Sequence, residues 1–485
     1  MLKKLFNPID LTKGVIWKSI LLFSIPILLS YIFQQIYTIA DASICGQFLN
    51  ANQVAGVNNT GNITFIVLQF AFGCTAGFSV ISSSLIGQND EEGVKKSFAL
   101  QIKLSLIISI ILTIIACLMV DPLLKMIGLT PSSNPVQNEI YKSAYTYVMI
   151  IFLGTIAQIF YNLICSFLRS VGDSVTPLIF LIISAILNII LDIIFIVAFK
   201  WGVAGAAIAT VIAQLISAIG CFIYTFKKYP KFRLNFSYFK SDFKFTMDHL
   251  KLGLPLAFQF SILAIGLIVM QAVIVKFDTA IDGTVVVSYA QNGFGAATKL
   301  NNFLMCPFSA IGTAMISFCG QNNGANEKGR IKKGVLEALL IVFIEFIIFG
   351  GIGMLLTIDG AYLHIFYSED KINDMTIFYG NRYLYCDLSL YYFLGVLFVL
   401  RNSLQGIGKA MFPLLAGIGE LIARTAICLI LPNLINGGPI NINANSASVL
   451  GLAFADSLAW IVAVAIMMVG AVKYIFKTQK ELVVY

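Results

Sequence analysis

A carboxylate and an amide within one long apolar run are the residues best suited to chemistry. The run from Pro177 to Phe199 reads PLIFLIISAILNIILDIIFIVAF; its only ionisable residue is Asp192, four residues after Asn188. Residues four apart share one face of a helix, and a run this long crosses a hydrocarbon core of about 30 Å. A charge at that depth is costly, so we expect Asp192 to face the protein interior and have a function. The alternative is a structural hydrogen bond between helices.

Two further polar residues in apolar runs are candidates for the same site. Asp41 ends the first run, in YIFQQIYTIADASICG, and Thr210 lies in the sixth, in GVAGAAIATVIAQ. Two carboxylates, an amide and a hydroxyl can form an oxygen-rich cation site, or the two carboxylates can share one proton. Pro26 precedes Asp41 in the first run and removes a backbone hydrogen bond, so that helix can kink there. Spacing alone does not bring the four residues together.

The elements that must position these residues are membrane-spanning helices. The chain is 58% hydrophobic and 12% charged, whereas soluble domains carry about 25% charged residues. Twelve apolar segments are predicted to be helices, because a segment exposed to lipid must satisfy its own backbone hydrogen bonds. Continuous apolar runs do not fit the alternating strands of a β-barrel. The segments span roughly residues 18–41, 57–86, 97–119, 143–168, 177–199, 203–226, 250–276, 288–319, 334–357, 380–404, 412–434 and 448–473.

The basic residues predict an orientation rather than a nucleic-acid partner. Most of the 32 lysines and arginines fall on the chain ends and on one set of loops, which includes the basic run 227–251. This uneven distribution, rather than the net charge of +8, predicts that both termini are cytoplasmic by the positive-inside rule. No small-residue cleavage site follows the first apolar run, so we predict an uncleaved span rather than a signal peptide.

Cysteine and histidine usage gives no sign of a disulfide framework, zinc site or histidine-based triad. The nine cysteines lie mostly in apolar segments and form no CxxC pair, which is the usage of a small apolar residue. His249 and His364 stand in no ligand cluster. We predict no cofactor and no metal beyond a possible Na⁺.

Short motifs recur in the same order in the two halves of the chain. SLIGQND (84–90) is echoed by SFCGQNN (317–323), and RSVGDSVTPL (169–178) by QGIGKAMFPL (405–414). Each echo occupies an equivalent place relative to the predicted spans. The chain is therefore predicted to contain an internal repeat of six spans.

The repeat predicts the domain organisation and the fold class. Residues 1–226 form an N-lobe with six spans, 227–249 a cytoplasmic linker, and 250–485 a C-lobe with six spans. The protein is predicted to be an all-α integral membrane protein of two six-helix bundles. A pseudo-twofold axis along the membrane normal relates the bundles, and a substrate path lies between them near the midplane.

The second half differs from the first at the polar positions. Overlaying the echoes puts Arg424 where the first half has Asn188, and Asp456 where it has Thr210. We expect Arg424 to be a built-in cation paired with Asp456 or with Glu420, one turn away. The second half would then contain a permanent internal cation and would not be an ion site. The alternative is an unrelated structural salt bridge.

Other polar side chains in the apolar segments are weaker candidates. Each can line a pathway or simply join two helices. The candidates for the substrate cavity are Gln34, Gln35, Asn162 and Gln259, and the further acids are Glu345 and Asp387.

The chain resembles the multidrug and toxic compound extrusion family of secondary transporters, most closely its DinF/MepA-like branch. The resemblance covers essentially the whole chain. It rests on Pro26 with DASICG (41–46), on LRSVGDSVTPL (168–178), on NIILD (188–192) and on GVAGAAIAT (202–210). It implies an N-lobe cation site built from Asp41, Asn188, Asp192 and Thr210.

One part of the family pattern is absent. The NorM-like branch has a glutamate in span seven, where this chain has Gln259, and an aspartate in span ten, where this chain has Leu390. Asp387 is about one turn away. A C-lobe sodium site of that type is not expected here.

The resemblance implies an efflux antiporter rather than an enzyme. It would export drug-like, mostly cationic organic compounds in exchange for H⁺ or Na⁺. Its expected setting is the plasma membrane of a prokaryote, as a multi-pass monomer surrounded by lipid. Two alternatives remain. A lipid-linked oligosaccharide flippase would need several cationic residues facing its cavity, and a polytopic membrane enzyme would need a metal cluster or an acid–base set near one surface.

Overall fold

The chain folds almost entirely into helices. The computed structural model describes residues 7–367, 369 and 372–477. Over these ranges, nine helices are long and apolar enough to cross a membrane, and three bent pairs raise the number to twelve if each pair is one span. The chain ends 1–6 and 478–485, predicted to be cytoplasmic, lie outside the described residues.

The helices are numbered here in chain order. The first half contains α1 (Ile16–Phe48), α2 (Ala51–Asn59), α3 (Gly61–Gly87), α4 (Glu91–Met126), α5 (Pro135–Leu153), α6 (Thr155–Ser170), α7 (Val175–Asp192) and α8 (Gly202–Lys228). The second half contains α9 (Phe243–Lys276), α10 (Tyr289–Leu304), α11 (Cys306–Gly324), α12 (Lys328–Glu345), α13 (Gly351–Leu356), α14 (Leu363–Phe366), α15 (Asp374–Ser389), α16 (Tyr391–Gly406), α17 (Met411–Asn436), α18 (Ser448–Ala453) and α19 (Ala455–Ala471). Short 3₁₀ turns Pro230–Phe232 and Phe236–Phe239 lie between α8 and α9.

Three segments predicted as continuous helices are bent pairs. The chain turns by 46° between α5 and α6, by 43° between α10 and α11, and by 53° between α15 and α16. The first bend falls at Gly154, where a β-carbon would clash with Val211 of α8. The other two bends fall at Met305 and Leu390. Pro307 lies two residues after Met305 and removes a backbone hydrogen bond there, so the sequence carries a signal for that bend. No glycine or proline lies within four residues of Leu390, so the sequence gives no such signal for the last bend.

Wider π-turns continue two helices directly after an acidic residue. Ile193–Ala198 follows Asp192 at the end of α7, and Phe346–Gly350 follows Glu345 at the end of α12. A π-turn is rare and often accompanies a functional site. By contrast, α1 is one continuous helix through Pro26.

The chain divides into two compact units that do not coincide with its two sequence halves. Unit 1 holds the chain up to Ser261 together with Ser317–Glu327 and Gln405–Ala410. Unit 2 holds Ile262–Ile316, Lys328–Leu404 and the chain from Met411 onward. The lobe boundaries predicted from the repeat stay a prediction.

Glycines set the closest helix contacts inside unit 1. A β-carbon on Gly73 would lie 2.6 Å from the Cα of Ala257, and one on Gly77 would lie 2.6 Å from the Cα of Gly253. The backbones of α3 and α9 therefore touch, as small residues allow in membrane proteins.

The echoed GQN motifs meet at the ends of α3 and α11. A β-carbon on Gly87 would clash with the carbonyl of Gln321, and one on Gly324 would clash with the carbonyl of Ser84. Gly87 of the first motif and Gly324, the residue directly after the second, therefore each leave room for the backbone of the other helix end. This packing gives the echoes found in the sequence a structural reason.

A strap formed by Ile9 to Leu11 crosses these helix ends. Ile9 donates its amide to the carbonyl of Gly172 at 2.9 Å. The Leu11 amide donates to Gln321 Oε1 at 3.1 Å, and Asn322 Nδ2 donates to the Leu11 carbonyl at 3.1 Å. Leu11 is fully buried. The strap therefore ties the segment before α1 to the ends of α6 and α11.

Unit 2 is assembled around two principal helix contacts. Helix α17 packs along α19, and α10 packs along α15. The buried aromatic rings of Phe294 and Tyr383 meet across the second contact, with centroids 5.2 Å apart. These contacts place the polar side chains of α15, α17 and α19 inside the unit.

Candidate functional site

The four polar residues predicted for the first half lie together in unit 1. Asn188 and Asp192 of α7 are 1% and 0% exposed. With its amide nitrogen facing the carboxylate, Asn188 donates to Asp192 Oδ2 at 2.9 Å and accepts from the Thr210 amide at 3.2 Å. The opposite amide orientation donates only to Thr210 Oγ1, at 3.3 Å. The first orientation satisfies both ends of the amide and is the one adopted here.

Asp41 brings a second carboxyl group against the first. The side chains of Asp41 and Asp192 are within hydrogen-bonding reach of each other. One oxygen of each, Oδ1, is buried without a hydrogen-bond partner among the described residues. Two adjacent carboxylates in a low-dielectric site repel unless a proton or a cation lies between them. The carboxyl oxygens of this pair suit either occupant.

Tyr37 belongs to this site and was missed from the sequence. Its hydroxyl lies close to the Thr210 side chain and to both carboxyl groups. Tyr147 of α5 is a further neighbour of Asp41. Tyr37 precedes Asp41 by four residues on α1, so the two share a helix face. That spacing is the signal that could have identified it.

Helix packing explains how the site forms. α7 packs along both α1 and α8, so the three helices that carry the site residues are direct neighbours. A β-carbon on Gly205 would lie 3.1 Å from the Phe195 backbone, so α8 approaches the π-turn closely. Thr210 also donates its hydroxyl to the Ala206 carbonyl at 3.1 Å, which fixes its rotamer.

Asp173 anchors the far end of α7. Its carboxylate accepts hydrogen bonds from the Thr176 amide at 3.0 Å, the Tyr229 hydroxyl at 2.7 Å and the Lys228 ammonium at 2.8 Å. Burial and the neighbouring Asp173 charge raise the pKa of Tyr229, so its hydroxyl remains a donor. The motif LRSVGDSVTPL therefore contains the residue that holds the first turn of the site-bearing helix.

The predicted cavity residues have different surroundings. Gln34 is exposed, and Gln35 and Asn162 are half-buried. Gln259 is fully buried and accepts a hydrogen bond from Gln405 Nε2 at 2.8 Å. The amide nitrogens of Asn162 and Gln259 have no partner among the described residues. No cavity shared by the four residues is described.

Arg424 of unit 2 pairs with both acids predicted for it. Its Nη2 lies 3.0 Å from Glu420 Oε1, and its Nε lies 2.5 Å from Asp456 Oδ1. Arg401 Nη2 binds the other oxygen of Glu420 at 2.8 Å. All four side chains are buried. A β-carbon on Gly266 would lie 2.9 Å from Arg424 Nη1, so that glycine makes room for the guanidinium.

Arg401 was counted with the basic residues at the loops. It is instead buried in α16. Its position inside the apolar run YYFLGVLFVLRNSL was the available signal. With Arg401, the network contains two arginines and two acids, so its formal charges balance.

Asp387 lies beside this network but is not paired with either arginine. It is fully buried, and its Oδ2 accepts from Asn301 Nδ2 at 3.0 Å. Tyr383, one turn earlier on α15, donates its hydroxyl to Asp456 Oδ2 at 3.0 Å. Glu345 of α12 is half-buried, and its Oε2 has no partner among the described residues. Neither acid belongs to the four-residue site of unit 1.

Ionisable side chains among membrane-spanning helices often mark ion pathways in transporters. Comparison with known proteins places the chain in a family. Residues 26–194 and 255–430 match the MatE family model. The chain therefore belongs to the MatE family, and it is a transporter rather than an enzyme. This confirms the resemblance identified from the sequence.

Individual relatives are similar over most of their length. The chain is 29% identical over 404 residues to the probable multidrug resistance protein YpnP of Bacillus subtilis, which covers 83% of this chain and 85% of YpnP. It is 25% identical over 418 residues to the probable multidrug resistance protein YoeA of the same organism, covering 84% and 85%.

A solved structure supports the fold. The structure of a MOP superfamily transporter from Pyrococcus furiosus matches with a TM-score of 0.83 at 21% identity, covering 97% of this chain and 100% of the other. The predicted all-α, twelve-helix membrane fold is therefore confirmed.

Proposed function

We propose that the chain is an efflux antiporter that exports drug-like, mostly cationic organic compounds in exchange for H⁺ or Na⁺. The observation that carries this proposal is the contact between the Asp41 and Asp192 carboxyl groups, in a buried site completed by Asn188 and Thr210. The names of YpnP and YoeA as multidrug resistance proteins support the substrate class. No cofactor other than the coupling ion is proposed.

The mechanism follows from the placement of the two carboxyl groups on different helices. Asp41 is on α1 and Asp192 on α7. A proton or Na⁺ between them removes their repulsion and favours the arrangement in which α1 packs along α7. Loss of the ion makes that arrangement unfavourable, and Pro26 gives α1 a place to bend.

Exchange requires ion and substrate to prefer different conformations. A ligand shifts an equilibrium only by its difference in affinity for the two states. We propose that the coupling ion stabilises the conformation that binds substrate weakly. Gln34, Gln35, Asn162 and Gln259 are the proposed substrate contacts, since each can hydrogen-bond a polar group and none adds a charge that repels a cation.

Neutral substitutions test the coupling site. In proteoliposomes loaded with a fluorescent organic cation, Asp41→Asn and Asp192→Asn should each abolish ion-driven transport while the protein remains folded. Asp282→Asn is the matched control, because it makes the same chemical change in the exposed loop after α9. Coupled transport at the wild-type rate by either site variant would contradict the assignment.

Separate gradients identify the ion. A pH gradient without Na⁺ and a Na⁺ gradient at equal pH should be applied to the same proteoliposomes. Transport driven by one gradient alone names that ion, and transport driven by both means that the site accepts either. Transport driven by neither gradient would refute antiport with these ions.

The cellular setting is also proposed. We place the protein in a prokaryotic plasma membrane as a monomer with both termini in the cytoplasm, following the distribution of basic residues. Cysteine labelling of each terminus from either side of intact cells tests the orientation. The flippase alternative is not favoured, because the buried arginines Arg401 and Arg424 are already neutralised by Glu420 and Asp456.

A further inference from the structure

The connection between α8 and α9 exposes two aromatic rings. The side chain of Phe236 is 91% exposed and that of Phe243 is 78% exposed. Phe236 begins a 3₁₀ turn, and Phe243 is the first residue of α9. Rings this large and this exposed mark a surface that meets another apolar phase.

The connection is exposed although it is firmly attached to the rest of unit 1. Phe232 is buried in the core of unit 1. Lys231 Nζ lies 2.9 Å from Glu91, and the Tyr238 hydroxyl donates to Glu92 at 3.0 Å. These contacts attach the back of the connection to the start of α4. The two phenylalanine rings are therefore held outward by a fixed backbone.

Exposed basic residues flank the two phenylalanines in the sequence. Arg233, Lys240 and Lys244 are exposed. Arg233 Nε donates to the Phe226 carbonyl at 3.3 Å, which holds its guanidinium near the end of α8. The one acid between Lys240 and Lys244 is Asp242, whose Oδ1 accepts from the Lys244 amide at 3.1 Å. The exposed face of the connection is therefore aromatic and cationic.

The location of the connection indicates its partner. It joins the last residue of one predicted span to the first residue of the next. The final turns of α8 expose Ile223 and Tyr224, so an apolar outer surface continues up to the connection. Aromatic residues concentrate at membrane interfaces. Juxtamembrane lysines and arginines attract anionic lipids by about 1 kcal/mol each.

We infer that residues 233–244 form a binding surface for anionic phospholipids. The rings of Phe236 and Phe243 insert at the level of the headgroups, while Arg233, Lys240 and Lys244 bind lipid phosphates. The surface is a property of the connection alone and does not depend on the transport mechanism proposed above. It fixes the junction of α8 and α9 to one leaflet.

A depth measurement tests the insertion of the ring. Phe236→Trp is made in full-length protein whose native Trp17, Trp201 and Trp460 are changed to Phe, and is reconstituted with phosphatidylglycerol. Lipids brominated in the acyl chain should quench its fluorescence, and aqueous iodide should quench it weakly. Strong iodide quenching without bromolipid quenching would overturn the inference. If the protein without its native tryptophans does not fold, Phe236→Trp is made in the wild-type background. Its quenching is then compared with that of the wild-type protein.

A charge-matched comparison tests the lipid selectivity. The variant Arg233→Gln/Lys240→Gln/Lys244→Gln should retain phosphatidylglycerol at least about tenfold more weakly than wild type, by native mass spectrometry in mixed micelles. The control Lys142→Gln/Lys200→Gln/Lys276→Gln removes the same charge from three exposed lysines outside the connection and should retain the lipid normally. Equal retention by both triple variants would overturn the inference. The finding that a protein, rather than lipid, covers the Phe236 ring would also overturn the inference.

Discussion

Arg424 provides the sharpest test of how the second half is built. Its guanidinium contacts Glu420 and Asp456, and all three side chains are buried. Replacing it with methionine, which has a similar length and no charge, leaves Asp456 without a cation and Glu420 with Arg401 alone. Removing one partner of a buried ion pair costs about 3–5 kcal/mol, because the remaining charge stays buried.

The expected loss is large enough to measure by thermal unfolding. With about 2.1 cal/mol/K of unfolding entropy per residue, a chain of 485 residues loses roughly 1 °C of melting temperature for each kcal/mol. Arg424→Met should therefore melt roughly 3–5 °C below wild type in detergent, with the monodisperse fraction as the readout. Arg401→Met is the matched comparison, because Arg424 still contacts both Glu420 and Asp456 in that variant.

A second substitution separates the pair from mere packing. Arg424→Met/Asp456→Leu removes both members of one ion pair and leaves Glu420 bound to Arg401. Replacing a buried pair with apolar groups is often neutral, so the double variant should recover most of the lost stability. It should also retain ion-driven transport, which the Asp192→Asn variant should not. A double variant no more stable than Arg424→Met, or a single variant that melts like wild type, would refute the reasoning.

Three further predictions concern smaller groups. Gly172 has φ +86°, and a β-carbon there would clash with the Ile9 carbonyl, so Gly172→Ala should cost about 1–2 kcal/mol in backbone strain and also release the strap. Faster amide exchange at Ile9 and Leu11 would show this, and Gly128→Ala, which has φ +82° and open space around it, should leave that exchange unchanged. Tyr37→Phe removes the hydroxyl that lies close to Thr210 and the two carboxyl groups, so the apparent affinity for the coupling ion in transport should fall roughly 2–13-fold. An unchanged affinity would remove Tyr37 from the site. For Asp10, burial opposes ionisation, but hydrogen bonds from Thr12 and Lys13 outweigh it and hold its pKa below the usual value. The contribution of Asp10 to stability is therefore complete above about pH 4 and is lost as pH falls through the lowered pKa. Asp10→Asn should loosen the strap near neutral pH but not in strong acid, and equal loosening at both pH values would contradict this.

The helices and the grouping of polar residues could be predicted because hydrophobic length and helical spacing are local properties. Twelve apolar runs are visible without any contact information, and Asn188 and Asp192 share a face by spacing alone. The partnership of Asp41 and Thr210 with them is not local, since it depends on three helices packing together. It came from the family resemblance.

Other features could not be predicted because their causes lie in distant contacts. The bend at Leu390 has no helix-breaking residue beside it. Gln321 and Asn322 hydrogen-bond the backbone of Leu11, which lies about 310 residues earlier in the chain, so their role in holding the strap is not visible in the local sequence. Arg401 finds its acid, Glu420, on a neighbouring helix, and the spacing of the two residues along the chain does not reveal that pairing.

The same comparison of repeats predicts how the first half would respond to a cation of its own. Arg424 occupies the position that Asn188 has in the first half, where the Asn188 amide lies 2.9 Å from Asp192. Asn188→Arg would place a guanidinium between the two carboxyl groups, where the coupling ion is proposed to bind. Because a tethered cation cannot leave, the charge of the site would no longer change, and the α1–α7 contact would be held permanently.

Asn188→Arg should therefore abolish ion-driven transport without lowering the melting temperature below that of Asn188→Ala. The alanine variant is the control for losing the amide, since it removes the hydrogen bonds but leaves the ion space open. A variant that unfolds more readily than Asn188→Ala would mean that the site cannot hold a guanidinium. Retained, gradient-dependent transport would mean that the ion binds elsewhere. Loss of transport in a fully stable protein would instead indicate that the two halves differ chiefly in whether their cation can depart.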